Sequence, residues 1–262
     1  MLRLLDREAG GLVSVEVVVV PDMNALAVAA AGRFATIAEE RIAETDRFTV
    51  ALSGGSTPKA LYRLLTQPPY RDGFDWRRVH VFWGDERSVP PDDAESNYRM
   101  ARETLLVHVP IPVNQIHRIQ SEIDPQEAAT RYEEELIGYF GLVPGEPPEF
   151  DLILLGIGAD GHTASLFPAT VALEENDRLV VANPVDKLDT VRITFTIPVV
   201  TEAANVLLLA AGADKADAVQ RTLEAPYEPI QTPAQVLRTA AGKVTWLLDK
   251  AAGAKLQGQG GQ

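Results

Sequence analysis

Short apolar runs alternate with longer amphipathic stretches along most of the chain. The runs are Ser14 to Val20, Phe48 to Leu52, Val79 to Trp83, Leu152 to Leu155, Leu179 to Ala182, Val191 to Ile197, Val206 to Ala210 and Val244 to Leu248. Most are rich in β-branched or aromatic residues and bounded by Gly, Pro, Asn or Asp, which is the pattern of buried strands. The stretches between them have helical periodicity. Roughly Ala25 to Glu44 places Leu26, Ala29, Ala30, Phe34, Ile37 and Ala38 on one face, with Asn24 as the expected cap. Further helices are predicted through Leu61, Leu64 and Leu65, through Tyr98, Ala101 and Leu105, from Asp124-Pro125 to near Phe140, from Pro198, and through Val219. Strand and helix in alternation predict the α/β class: a doubly wound, largely parallel sheet with helices on both faces, a Rossmann-like three-layer sandwich. No internal repeat and no long biased linker divides the chain. The expectation is one α/β domain over residues 1–252, with the Gly/Gln-rich residues 253–262 frayed.

In such sheets ligands collect beyond the carboxyl ends of the strands. The segments there are the informative ones. Phe48 to Leu52 runs into Ser53-Gly54-Gly55-Ser56-Thr57-Pro58-Lys59. Two glycines permit close backbone approach, Ser56 or Thr57 can cap the following helix, and a helix amino end favours an anion. An ordinary strand-to-helix turn has the same composition, and the Gly-Lys-Ser/Thr ending of a Walker A loop is missing. Val79 to Trp83 ends in Gly84-Asp85-Glu86-Arg87. This is either a solvated turn or a site in which Arg87 offers a fork to phosphate or carboxylate, with Asp85 or Glu86 holding it or bonding sugar hydroxyls.

Leu152 to Leu155 runs into Gly156-Ile157-Gly158-Ala159-Asp160-Gly161-His162. The glycines fit the dinucleotide fingerprint. Asp160 would nevertheless face the pyrophosphate, and Ala182-Asn183-Pro184 offers no acid for a ribose. His162 stands two positions after Asp160, a spacing suited to a carboxylate that orients an imidazole for acid–base work. Arg192, on a strand, is an edge charge or a cleft residue. Lys215 opens a helix, a poor place for a cation unless an anion is near. His80, His108 and His117 lack metal-ligand spacing and read as structural.

Composition narrows the partners. With 24 basic and 37 acidic residues the net charge is −13, which disfavours nucleic acid or an anionic membrane as partner. An anionic substrate would need cations placed locally. There is no cysteine, so disulfides and thiolate metal sites are excluded. No apolar run reaches the ~20 residues of a membrane helix. The opening MLRLLDREAGG does not read as a signal peptide, so the cytoplasm is the expected compartment. The working expectation is a monomer.

Taken together, these stretches resemble the 6-phosphogluconolactonases of the oxidative pentose phosphate pathway. The resemblance rests on Ser53 to Pro58, Trp83 to Arg87 with Ser96-Asn97, Gly156 to Pro168, Arg192 to Thr196 and Gly212 to Ala216, in that order over most of the chain. It implies a sugar-phosphate lactone as substrate and neither metal nor cofactor. It also implies a 6-phosphate held by Ser53, Gly54, Gly55, Ser56 and Thr57 together with Arg87, Arg192 or Lys215, and a water activated by His162. Asp85 joins the binding residues and Asp160 the catalytic ones. The glycine loop alone would also suit glucosamine-6-phosphate deaminases, which share the fold. Those carry an acid shortly after the histidine, whereas Thr163 to Pro168 contains none. A sugar-phosphate sensor attached to a DNA-reading module is not expected, because residues 1–13 are too few for a helix-turn-helix.

Overall fold

A computed structural model describes residues 2–5, 15–143 and 145–257. In chain order the elements are β1 (Leu2–Leu5), β2 (Val15–Val20), α1 (Met23–Thr45), β3 (Phe48–Leu52), α2 (Ser56–Leu65), β4 (Val79–Trp83), β5 (Asp85–Arg87) and α3 (Asn97–Thr104). Then follow α4 (Pro125–Phe140), β6 (Leu152–Leu155), β7 (Val180–Val185), β8 (Thr190–Phe195), α5 (Ile197–Glu202), β9 (Asn205–Ala210), α6 (Ala216–Glu224) and β10 (Lys243–Asp249).

Among the described residues seven strands form the main sheet, in the order β1-β2-β10-β9-β6-β3-β4. From β2 to β4 every pairing is parallel, while β1 lies antiparallel on the β2 edge. The chain crosses from β2 to β3, steps outward to β4, then returns through β6, β9 and β10. The direction therefore reverses between β3 and β6, which are neighbours. That boundary is the topological switch point, where a crevice opens beyond the strand ends. The strands are apolar on both faces, β3 and β6 being buried throughout, as expected of a sheet covered on both sides. The large side chains Trp83, Trp246, Phe34 and Phe82 sit at 1% exposure or less. They anchor a core that also takes in Leu26, Ala30, Ala31 and Ala38 of α1.

The structure departs from the sequence expectation in several places. β1 was not anticipated: four residues carry too little pattern to signal a strand, and the edge of β2 organises them. The strands foreseen around Leu179 to Ala182 and Val191 to Ile197 exist as β7 and β8, but they do not enter the main sheet. With β5 they form a separate antiparallel sheet, β5-β8-β7. Asp85 to Arg87 is thus a strand rather than a turn. Pro184 is tolerated because β7 is the outer strand of that small sheet. The cap of α1 is Asp22, whose carboxylate accepts from the Ala25 backbone N–H at 2.9 Å, and not Asn24. The Asp124 cap with Pro125 in the first turn is as expected.

Residues 253–257 do not follow the fraying expectation. Gly253 N–H donates to the Asp249 carbonyl at 3.0 Å and Gln257 N–H to Glu224 at 2.9 Å, which holds the segment against α6. Ser14 and residues 258–262, included in the expected first strand and frayed tail, lie outside the described residues, as does Pro144.

Candidate active site

A cleft of about 590 Å³ lies at the switch point. Ser53 to Pro58 after β3, Gly156 to His162 after β6 and Ala210, Ala211 and Lys215 at and beyond the end of β9 line it. The small sheet adds Asp85, Arg87 and Arg192. Every site residue expected from the sequence therefore faces one space.

On the β3 side, the glycine loop is fixed by its neighbours. The Tyr62 hydroxyl donates to the Ser53 carbonyl at 2.8 Å and accepts from its N–H at 3.0 Å. A Cβ at Gly54 would fall 1.9 Å from Oδ1 of Asn97, so only glycine fits there. The α2 cap is Gly55, not Ser56 or Thr57, and no side chain caps the helix. Ser56 and Thr57 instead supply the first turn, whose amide groups point towards the cleft end of the helix. The Ser53 hydroxyl is buried without a hydrogen-bond partner among the described residues.

Asn97 owes its position to Glu86. This carboxylate, 1% exposed, accepts from the backbone N–H groups of Arg87, Asn97 and Tyr98, each at 2.8 Å, and from the Ser96 hydroxyl at 3.1 Å. Glu86 thus secures the amino end of α3 and is not available to sugar hydroxyls, one of the roles considered from sequence. Burial raises its carboxyl above the usual range, opposed by those backbone hydrogen bonds. Asp85 accepts from the Ser165 hydroxyl at 2.6 Å and faces the cleft.

Arg87 and Arg192 lie side by side on β5 and β8. Nη1 of Arg87 donates to the Glu95 carbonyl. Nε and Nη1 of Arg192 are buried with no partner among the described residues, and burial, with the adjacent Arg87 charge, pushes the Arg192 guanidinium below its usual value. Buried guanidinium donors are normally satisfied; orphaned ones facing a cleft call for an anion. Lys215 also reaches the cleft, paired with Asp214 at 3.0 Å.

His162 lines the same cleft. The loop after β6 turns back on itself: Gly161 N–H donates to the Gly158 carbonyl at 2.9 Å, and Gly158 N–H to that of His162 at 2.8 Å. The imidazole therefore folds over Gly158, where a Cβ would come within 2.1 Å of Nδ1. Oδ1 of Asp160 lies 2.6 Å from Nδ1 and accepts the His162 backbone N–H at 3.1 Å. The Phe167 ring stacks on the imidazole at 4.1 Å. Burial works against the Asp160 charge, but hydrogen bonds from His162 and Lys187 outweigh it and hold this carboxyl well below the usual range. A ring whose Nδ1–H is given to a carboxylate carries its lone pair on Nε2, the arrangement of a general base.

Sequence reasoning missed Lys187 as a site residue. It lies in a short turn with no motif, and only the small sheet brings it to Asp160. It also missed the contact between His80 and His117, whose Nδ1 and Nε2 are 3.3 Å apart. Their place on and beside β4 could have been found only by pairing Val81 with Ile116. Among the described residues no group of three or more His, Asp or Glu side chains is arranged to hold a metal.

The pattern of the family described as glucosamine-6-phosphate isomerases/6-phosphogluconolactonase matches residues 21–246. A 6-phosphogluconolactonase of Nostoc sp. is 41% identical over 91% of this chain and 97% of its own. That of Synechocystis sp. is 46% identical over 82% of this chain and 88% of its own. Among solved structures, the 6-phosphogluconolactonase from Trypanosoma brucei superposes with a TM-score of 0.82 at 32% identity, covering 92% of this chain and 98% of that one.

Proposed function

The chain belongs to the glucosamine-6-phosphate isomerase/6-phosphogluconolactonase family, and from that premise we propose that it hydrolyses 6-phospho-D-glucono-1,5-lactone to 6-phospho-D-gluconate, a step of the pentose phosphate pathway. The observation that carries this reading is that one cleft is lined both by the hydrogen-bonded Asp160–His162 pair and by Arg192, whose Nε and Nη1 have no partner among the described residues. A base and an anion site share one cleft, as hydrolysis of a phosphorylated ester requires.

A δ-lactone is an activated ester, so no covalent nucleophile is needed. Nε2 of His162 takes a proton from water as the water oxygen bonds to C1. The carbonyl electrons move onto its oxygen, and a cation of the cleft stabilises that oxyanion. On collapse the C1–O5 bond breaks, and the imidazolium returns its proton to the departing ring oxygen. Asp160 favours the imidazolium in between. The 6-phosphate is assigned to the Ser53–Thr57 loop, the amino end of α2 and cations among Arg87, Arg192 and Lys215. Binding energy at this remote group holds the carbonyl beside the water. Asp85 is left to bond a sugar hydroxyl. The reaction as written needs no metal or cofactor, and a monomer suffices because the cleft is lined within one chain.

Proton release from fresh 6-phosphogluconolactone, with the spontaneous rate subtracted, tests this reading. Strong preference over unphosphorylated gluconolactone is expected. Equal efficiency on both would remove the phosphate assignment, and no enzymatic rate on either would remove the reaction.

A further inference from the structure

One charge in the cleft has no part in the scheme above. Lys187 sits in the turn Asp186–Leu188 that joins β7 to β8. Its Nζ is ion-paired with Oδ2 of Asp160 and lies 4.7 Å from the centre of the Phe167 ring. That ring also stacks on His162, and the other carboxylate oxygen, Oδ1, is bound to Nδ1. Lys187, Asp160, His162 and Phe167 thus close a ring of contacts drawn from two separate loops. Lys187 is 49% exposed and Asp160 33%, a pairing that contributes little to global stability. Its position behind a general base suggests a different use.

Resting on the reading of His162 as the base, we propose that Lys187 is a positioning residue for hydrolysis: by holding Oδ2 it fixes the Asp160 carboxylate with Oδ1 on Nδ1 of His162, and its charge limits how tightly that carboxylate retains a proton on the ring. The geometric part follows from the two-fold freedom of a carboxylate. Bound at one oxygen it can rotate away; bound at both it keeps the imidazole oriented and Nε2 free. The electrostatic part follows from counting charge. With Lys187 present, Lys187, Asp160 and neutral His162 sum to zero, and protonating the ring leaves a net positive group. Without it the pair starts at minus one and protonation neutralises it. Lys187 therefore extends the unprotonated, active form of His162 to lower pH.

Other charges face the same loop or cleft. Asp85, Arg87 and Arg192 come from the small sheet and Lys215 from beyond β9, while Arg221 of α6 donates to the Ala159 carbonyl at 3.1 Å. All remain in a Lys187 variant, so their effects cancel in the comparison.

The test is an NMR titration of the His162 ring in the intact protein, assigned with His162→Ala among the four histidines, beside pH profiles of kcat and kcat/KM. Lys187→Met removes the charge but keeps the stem over Phe167; Lys187→Arg keeps the charge. At low salt, Lys187→Met should raise the His162 midpoint by roughly 0.5–1 pH unit. The acidic limb of kcat/KM should move upward with it, and kcat on the alkaline plateau should fall several-fold. Lys187→Arg should restore both. A midpoint that stays put or falls in Lys187→Met overturns the inference, as does Lys187→Arg behaving like Lys187→Met. A KM increase with an unmoved limb also overturns it and makes Lys187 a substrate contact. A wild-type protein without lactonase activity fails the functional reading instead, a result that the titration distinguishes because it needs no substrate.

Discussion

Arg87 and Arg192 occupy directly opposed positions in the β5–β8 ladder. Like charges so placed repel, and the buried Nε and Nη1 of Arg192 find no acceptor among the described residues. The pair costs stability in the absence of an anion and should recover it when one binds. Arg192→Met is accordingly expected to melt at or above the wild-type temperature without ligand. Saturating inorganic phosphate should stabilise the wild type by about 2–3 kcal/mol at one hundred times Kd, and Arg192→Met by much less. Calorimetry with and without phosphate reads both. A variant that is less stable alone yet keeps the full phosphate shift would mean the guanidinium is structural. At the neighbouring position, Arg87→Ala should weaken substrate binding by roughly 1.5–3 kcal/mol, and Arg87→Lys should not restore it, because a point charge lacks the fork.

His162→Ala should lower kcat by about 10²–10⁴-fold, the usual share of a general base. The fold should survive, since the residue lies in the loop after β6 and is only partly buried. Asp160→Asn should cost less activity and move the acidic limb to lower pH, because it removes the negative charge beside the ring. A second consequence concerns stability. The Asp160 carboxyl is held below its ordinary value, so its contribution is present above the unfolded value of ~3.9 and is lost as pH falls further. Acid unfolding of Asp160→Asn should lack that component. A folded His162→Ala protein with near-normal kcat would transfer the base role to another group.

The contact between His80 and His117 has its own pH signature. Burial, then electrostatic repulsion from the neighbouring His117 and Arg47, lowers the His80 pKa to about 4. The unfolded chain takes up this proton near ~6.5, so the folded state loses stability as pH falls from there to about 4. Denaturant melts at pH 7 and pH 5 should show that loss in the wild type and a smaller one in His80→Gln. Equal losses would mean that His80 titrates normally.

Glu86→Gln should destabilise the fold by about 1–3 kcal/mol, since an amide has one acceptor oxygen for the donors that the carboxylate now shares. The kinetic effect is the more diagnostic. Releasing the amino end of α3 frees Asn97 from Gly54, and the glycine loop should lose its register. KM should rise with kcat changed less. Unaltered kinetics in a destabilised protein would separate α3 from the binding loop.

Much of this site was readable before the fold was known, because its parts are short and punctuated. Leu152 to Leu155 followed by glycines fixes a strand end, and Asp160 and His162 are close enough in sequence to be paired by spacing alone. What pattern could not supply was partnership. β7 and β8 have the composition of buried strands, and nothing local says that they pair with Asp85 to Arg87 rather than with the main sheet. Arg192 therefore remained divided between an edge charge and a cleft residue until the register with Arg87 was visible. Glu86 was divided between a solvated turn, a brace for Arg87 and a partner of sugar hydroxyls, and only the fold reveals three backbone donors converging on it. Lys187 is a lone lysine in a turn, and no periodicity marks it.

The strand order also constrains how the protein is made. β3 and β4 are adjacent in both chain and sheet, so they can pair around α2 while synthesis continues. β2 is different. Its parallel neighbour is β10, and the register joins Val15–Val20 to Val244–Asp249. Until the ribosome has passed Asp249, one edge of an early-made, valine-rich strand has no parallel partner to cover it. Closure of such distant contacts is slow, and an open strand edge invites association with other chains. The nascent chain should therefore be most prone to aggregate just before its last strand emerges, when the cleft loops at β3 and β6 already exist but the sheet that carries them is still incomplete.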